Sequence, residues 1–122
     1  MEVIHTAIQV TDIDASKRFY IDGLGLEFKR QFTGEDGVEN FYFGKNDGAQ
    51  IQLKRNPERA TAIKPDGIDH IAVSVEDVDQ MVHHLGTELD YTVRQEPTDM
   101  DEIRFSYIED PDGYVIELIE FY

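Results

Sequence analysis

His5-Thr-Ala-Ile-Gln-Val-Thr-Asp-Ile-Asp14 returns later in the chain as His70-Ile-Ala-Val-Ser-Val-Glu-Asp-Val-Asp79. One constant offset sets His5 on His70, Ala7 on Ala72, Val10 on Val75, Asp12 on Asp77 and Asp14 on Asp79. At the same offset, without gaps, Leu24 falls on Leu89, Tyr42 on Tyr107, Asp47-Gly48 on Asp112-Gly113, Ile51 on Ile116 and Leu53 on Leu118. Self-similarity at one fixed offset marks a supersecondary unit used twice, and gene duplication is its simplest account.

Each copy reads β-α-β-β-β. In the first, residues 3–10 alternate as a strand, and Asp12 or Asp14 caps a helix that Gly23-Leu-Gly25 ends. Strands then read over 26–32, 38–43 and 49–54, with turns at Gly34–Gly37 and Gly44–Gly48. In the second, 68–75 is a strand and Glu76-Asp-Val-Asp79 caps a helix reaching Leu85 or Leu89. Residues 91–95 read as a strand, 96–102 as a polar loop and 103–108 as a strand. The turn Asp110-Pro-Asp-Gly113 has Pro second and Gly fourth, the type I signature, and leads into a last strand around Glu117. The expectation is a single α+β domain over 1–122, with a first module at 1–57, a linker at 58–67 and a second module at 68–122.

The chain has 122 residues, 40% of them apolar and 11% aromatic. That is enough material for one real core. No apolar run approaches the roughly 18 residues of a membrane span. The first residues carry neither a basic region nor an apolar core, so no secretory signal is read. The absence of cysteine excludes disulfides, thiolate ligands and a cysteine nucleophile, and points to a cytoplasmic setting. With 26 Asp plus Glu against 11 Lys plus Arg, the net charge is −15. That excludes a basic face for nucleic acid and attraction to an anionic membrane. The acids are spread along the chain rather than gathered in a tail. This fits an acidic, solvated surface and a halophilic host, where salt screens the repulsion.

Four residues of unusual type sit at matching places on the repeat. His5 and His70 lie on the first strand of each copy, Gln52 and Glu117 on the last. The step from His5 to Gln52 equals that from His70 to Glu117. Glu117 lies inside Val115-Ile-Glu-Leu-Ile119, and a carboxylate among apolar neighbours needs a partner, a proton or a metal. If the copies face each other about a pseudo-twofold axis, the four side chains converge. Two imidazoles, an amide oxygen and a carboxylate form a mixed N/O set suited to Ni, Co, Zn, Mn or Fe, with room for water or substrate as a catalytic site needs. An amide at Gln52 equally suits a backbone group or a held water. His83-His84 reads as an exposed helix face, and Asp110-Pro-Asp112 as turn chemistry. No Gly-rich phosphate loop and no Ser/His/Asp grouping is present.

On these residues the sequence resembles the vicinal oxygen chelate superfamily, the glyoxalase fold. Residues 5–25 match its opening pattern of His, strand, Asp, Ser, Phe-Tyr and Leu-Gly, and Asp69-His-Ile-Ala-Val-Ser-Val-Glu-Asp-Val78 matches the opening of its second module. Glu109-Asp-Pro-Asp-Gly-Tyr-Val-Ile-Glu-Leu-Ile-Glu120 is most similar to short glyoxalase I enzymes, the lactoylglutathione lyases. The resemblance implies two tandem βαβββ modules forming a curved mixed sheet around a divalent metal held by His5, Gln52, His70 and Glu117. It implies a homodimer whose sites each combine modules of both chains. It also implies a small-molecule substrate, the thiol adduct of a 2-oxoaldehyde, with Glu117 moving the proton. Gln9 stands where glyoxalase I commonly has an Arg that holds the glutathione carboxylate, and Asn56 matches a glutathione-contacting Asn. Gln52 stands where glyoxalase I generally has Glu, and in this it resembles methylmalonyl-CoA epimerases. A dioxygenase or thiol transferase using His5, His70 and Glu117, and a binding module without turnover, remain open as alternatives.

Overall fold

The computed structural model describes residues 1–45, 48–58, 65 and 67–122. Most of the expected linker 58–67 and the centre of the turn Gly44–Gly48 lie outside the described residues. The chain divides into two compact units, Met1–Ile63 and Lys64–Tyr122.

In the first unit, β1 (His5–Gln9) leads into α1 (Ile13–Lys17), which continues as a π-type turn over Arg18–Gly23. Then come β2 (Phe28–Thr33), β3 (Glu39–Phe43) and β4 (Gln50–Arg55). The second unit repeats the order with β5 (Ile71–Ser74), α2 (Val78–Val82) and its π-type turn His83–Glu88. It ends with β6 (Val93–Met100), β7 (Ile103–Glu109) and β8 (Val115–Phe121). The sheets have the orders β1-β4-β3-β2 and β5-β8-β7-β6. In both, the first strand pairs in parallel with the last, and the other pairs are antiparallel.

Local chemistry accounts for the repeated helix start. Asp12 accepts from the Ala15 amide at 3.1 Å and Asp77 from the Gln80 amide at 3.0 Å. Each bond relieves an orphan donor of the first turn. Gly25, at φ +75°, lets the chain leave the first helix in a left-handed conformation. One face of each sheet carries the core: Phe19, Tyr20, Phe43 and Leu53 are fully buried in the first unit, and Val78, Leu85, Ile108, Ile116 and Leu118 in the second. Alternation along the strands sends the intervening residues to the opposite face.

One expectation fails. Residues 96–102, expected as a polar loop, are mostly strand, because β6 runs to Met100 and only Asp101 and Glu102 turn. β6 is an edge strand, so solvent accepts its polar side chains. Its register with β7 shifts between Gln95 and Thr98. Pro97 sits at that irregularity, where the lack of an N–H costs no ladder bond. The hairpin at Asp110–Gly113 is as expected, with the Gly113 amide donating to the Asp110 carbonyl at 3.0 Å. Asp77→Ala should lower the unfolding free energy by about 1 kcal/mol. Urea denaturation checks this as a lower midpoint at an unchanged slope.

Candidate metal centre

In the first unit, Ala7 stands opposite Gln52 in the parallel β1–β4 pair. Side chains two apart share a face. His5 and Gln52 therefore lie diagonally on the face away from the buried core. Tyr42 of β3 is the other neighbour of Gln52 in register. The His5 and Tyr42 rings meet edge-on, with centroids 5.7 Å apart at 83°. Gln52 is 6% exposed, and its amide nitrogen donates to Asn40 Oδ1 at 2.9 Å, while Asn40 Nδ2 donates to the Val38 carbonyl at 3.0 Å. This chain of donors fixes the amide. Its nitrogen is engaged, and its oxygen is the atom left to accept.

The second unit repeats the arrangement in different chemistry. Ala72 stands opposite Glu117, and His70, immediately before β5, lies diagonal to it. His70 Nε2 is 3.3 Å from Glu117 Oε1. His70 Nδ1 is 2.7 Å from Asp69 Oδ2, on a carboxylate that is 96% exposed. Tyr107 stands opposite Glu117 across the β7–β8 ladder and meets the His70 ring edge-on at 5.5 Å. Burial, then the charge and acceptor oxygens of the facing Glu117, hold the Tyr107 phenol above its ordinary pKa. A phenolate there would be poorly solvated and would face a carboxylate.

Each half thus presents a His at the start of, or just before, its first strand and a last-strand oxygen ligand, with a Tyr ring beside both. The donor set suits a divalent ion of borderline softness. His70 fits the role closely. With Nδ1 turned to Asp69, Nε2 faces a carboxylate oxygen and requires a proton or a cation between them. A carboxylate behind a ligating imidazole is the usual support of a metal-bound His. Among the described residues no group of three His, Asp or Glu side chains is already placed to hold a metal ion by itself. The pairs His5–Gln52 and His70–Glu117 belong to separate units.

Of the two residues expected to contact substrate, Gln9 ends β1 on the same face as His5. Asn56, just past β4, uses its Oδ1 to accept the Glu58 amide at 3.0 Å, a local turn bond that leaves its amide nitrogen as donor. His83 is exposed, and His84 lies 3.4 Å from Glu88, as befits a helix surface. The sequence reading missed Tyr42, Tyr107, Asn40 and Asp69. The tyrosines were signalled by their identity at the repeat offset. Asn40 and Asp69 were not, because the repeat places Phe105 and Ile4 at their counterparts.

The chain belongs to the Glyoxalase/Bleomycin resistance protein/Dioxygenase superfamily, whose profile matches residues 2–118. A probable lactoylglutathione lyase of Synechocystis is 34% identical over 125 residues, covering 98% of this chain and 95% of that protein. The lactoylglutathione lyase of Haemophilus influenzae is 32% identical over 132 residues, covering 98% of this chain and 93% of that protein. The solved trypanothione-dependent glyoxalase I of Leishmania major superposes with a TM-score of 0.85 at 30% identity, over 98% of this chain and 86% of that one. The two βαβββ units are the fold of that superfamily.

Glu117→Gln removes the charge facing Tyr107 and should lower the Tyr107 pKa, while burial keeps it above the ordinary value. NMR of ring-labelled tyrosine across a pH series measures the change.

Proposed function

We propose that this protein is a metal-dependent lyase-isomerase of the glyoxalase I type, with one divalent ion of Ni, Co, Zn or Mn held by His5, Gln52, His70 and Glu117. The observation that carries this reading is the pairing of His70 Nε2 with Glu117 Oε1 at 3.3 Å, matched in the other unit by the diagonal placement of His5 and Gln52 on neighbouring strands. The names of the relatives from Synechocystis and Haemophilus influenzae support it. The substrate is the hemithioacetal of methylglyoxal and a thiol. When bound, the metal would polarise the two vicinal oxygens of the substrate and stabilise enediolate charge.

The chain supplies the proton transfer. Glu117 takes the proton from the carbon bearing sulfur and returns it to the neighbouring carbonyl carbon, and the hydroxyl proton changes oxygen in the same passage. The product is a 2-hydroxy thioester with no net gain or loss of atoms. A glutamine cannot accept a proton at neutral pH, so Gln52 can only bind and orient. Glu117 alone is both ligand and base. Tyr107 stands opposite the carboxylate, and Asp69 holds His70 from behind. Gln9 and Asn56 would contact the thiol. A second reading, an epimerase acting on an acyl-CoA by the same proton abstraction, is favoured by the amide at Gln52. The first reading also carries a homodimer in the cytoplasm of a salt-adapted host.

The deciding assay is loss of the methylglyoxal hemithioacetal in high salt with Ni, Co, Zn or Mn supplied in turn. Turnover of an acyl-CoA epimer instead would select the second reading. Glu117→Gln should abolish turnover while circular dichroism stays unchanged, and near-normal activity would place the base elsewhere. Gln52→Glu should retain metal binding by calorimetry. Failure to bind would remove residue 52 from the ligand set.

A further inference from the structure

Arg30 of β2 stands opposite Tyr42, which stands opposite Gln52, so Arg30, Tyr42 and Gln52 form one row across the sheet. Its guanidinium carbon lies 4.2 Å from the Tyr42 ring centre and 5.6 Å from that of Phe32, and the two rings are themselves stacked at 6.2 Å. The same Tyr42 ring meets His5 edge-on at 5.7 Å, so one tyrosine touches both the guanidinium and the candidate ligand imidazole.

Stacking sets the position of Arg30 but does not neutralise it. Cation–π contacts at exposed sites contribute only about 0.5–1 kcal/mol, and a guanidinium lying flat on a ring still presents N–H donors at its edge. Arg55 pairs with Glu39 at 2.9 Å, Arg94 with Glu109 at 3.5 Å, and Arg104 with Asp79 at 2.9 Å. Arg30 has no carboxylate partner among the described residues. Arg18 likewise has none among the described residues, but of the two only Arg30 lies over the Tyr42 ring beside the candidate ligands. The counterpart row in the second unit runs Glu117, Tyr107, Gln95, and there Gln95 donates to Thr98 Oγ1 at 3.3 Å. The duplicated rows thus differ at both ends: neutral ligand with cation in one, anionic ligand with neutral amide in the other. The positive charge stands beside the half-site that lacks a carboxylate.

We propose that Arg30 is the specificity residue for an oxyanion, carboxylate or phosphate, carried on the thiol portion of the substrate. The proposal deepens the hemithioacetal reading and rests on it. A net charge of −15 repels any anionic substrate at long range. The guanidinium of Arg30, held over Tyr42, provides a local seat for bidentate pairing.

The test uses the metal-loaded full chain at fixed ionic strength. The substrates are methylglyoxal adducts of 3-mercaptopropionate, 2-mercaptoethyl phosphate and neutral 2-mercaptoethanol. Arg30→Gln should raise KM about tenfold or more for one or both anionic adducts, a loss of roughly 1.4 kcal/mol. It should leave kcat within about twofold, and the neutral adduct unaffected on both constants. Whichever anionic adduct responds more identifies the oxyanion. Equal KM changes for charged and neutral adducts, or no change for any, overturn the proposal. If no adduct is turned over, the hemithioacetal reading has failed, and a second measurement decides Arg30 alone. The S-methyl derivatives of the two anionic thiols are titrated into the metal-free chain while the Arg30 Nε resonance is followed by NMR. A saturable shift with at least one of them, absent with S-methyl-2-mercaptoethanol, upholds the oxyanion seat, and no saturable shift with either rejects it.

Discussion

In each unit the first strand hydrogen-bonds in parallel to the last, across an intervening helix and two strands. Such a pair needs a long crossover, and the helix provides it while covering one face of the sheet. The pairing brings residues distant in sequence onto neighbouring strands. Because alternation is strict, Ile51, Leu53, Ile116 and Leu118 go to the buried core and Gln52 and Glu117 go to the other face. A slip of one residue in the β1–β4 or β5–β8 register would send the ligand oxygen into the core and an isoleucine or leucine onto the open face. The apolar cost of that exchange is what holds the candidate ligands in place.

The duplicated frame has been filled unequally. Both halves keep a His and a Tyr in the same geometry. One half then carries Gln52, immobilised by Asn40, with Arg30 at the end of its row. The other carries Glu117, opposite Tyr107 and beside His70, with an amide at the row's end. Duplication supplies two equal frames, and substitution at two positions in each makes them chemically unequal.

Legibility tracked the range of the interactions concerned. The helix starts at Asp12 and Asp77 and the turn at Asp110–Gly113 are decided by near neighbours in the chain; the sequence carried the turn and narrowed the caps to Asp12 or Asp14 and to residues 76–79. The end of β6 was misread because polar residues on an edge strand look like a loop until the partner strand is known; Gln95, Thr98 and Asp99 are strand only by virtue of β7. The tyrosines beside the histidines were visible as repeat identities but not as site residues, since a buried aromatic on a strand is ordinary core material. Their role becomes visible only through the ring contacts at 5.7 and 5.5 Å.

By itself the sequence determined the duplicated βαβββ plan, the strand faces and the pairing of His5 with Gln52 and His70 with Glu117, because period-2 alternation and a fixed repeat offset are one-dimensional properties. Only the tertiary structure decided which atoms those side chains offer. The Asn40 contact engages the Gln52 nitrogen and leaves its oxygen to accept. The Asp69 contact leaves His70 Nε2 facing Glu117. Arg30 was set on Tyr42 rather than on an acid among the described residues. Such choices depend on cross-strand register and on neighbours with no counterpart in the repeat, and neither is written in the spacing of the residues along the chain.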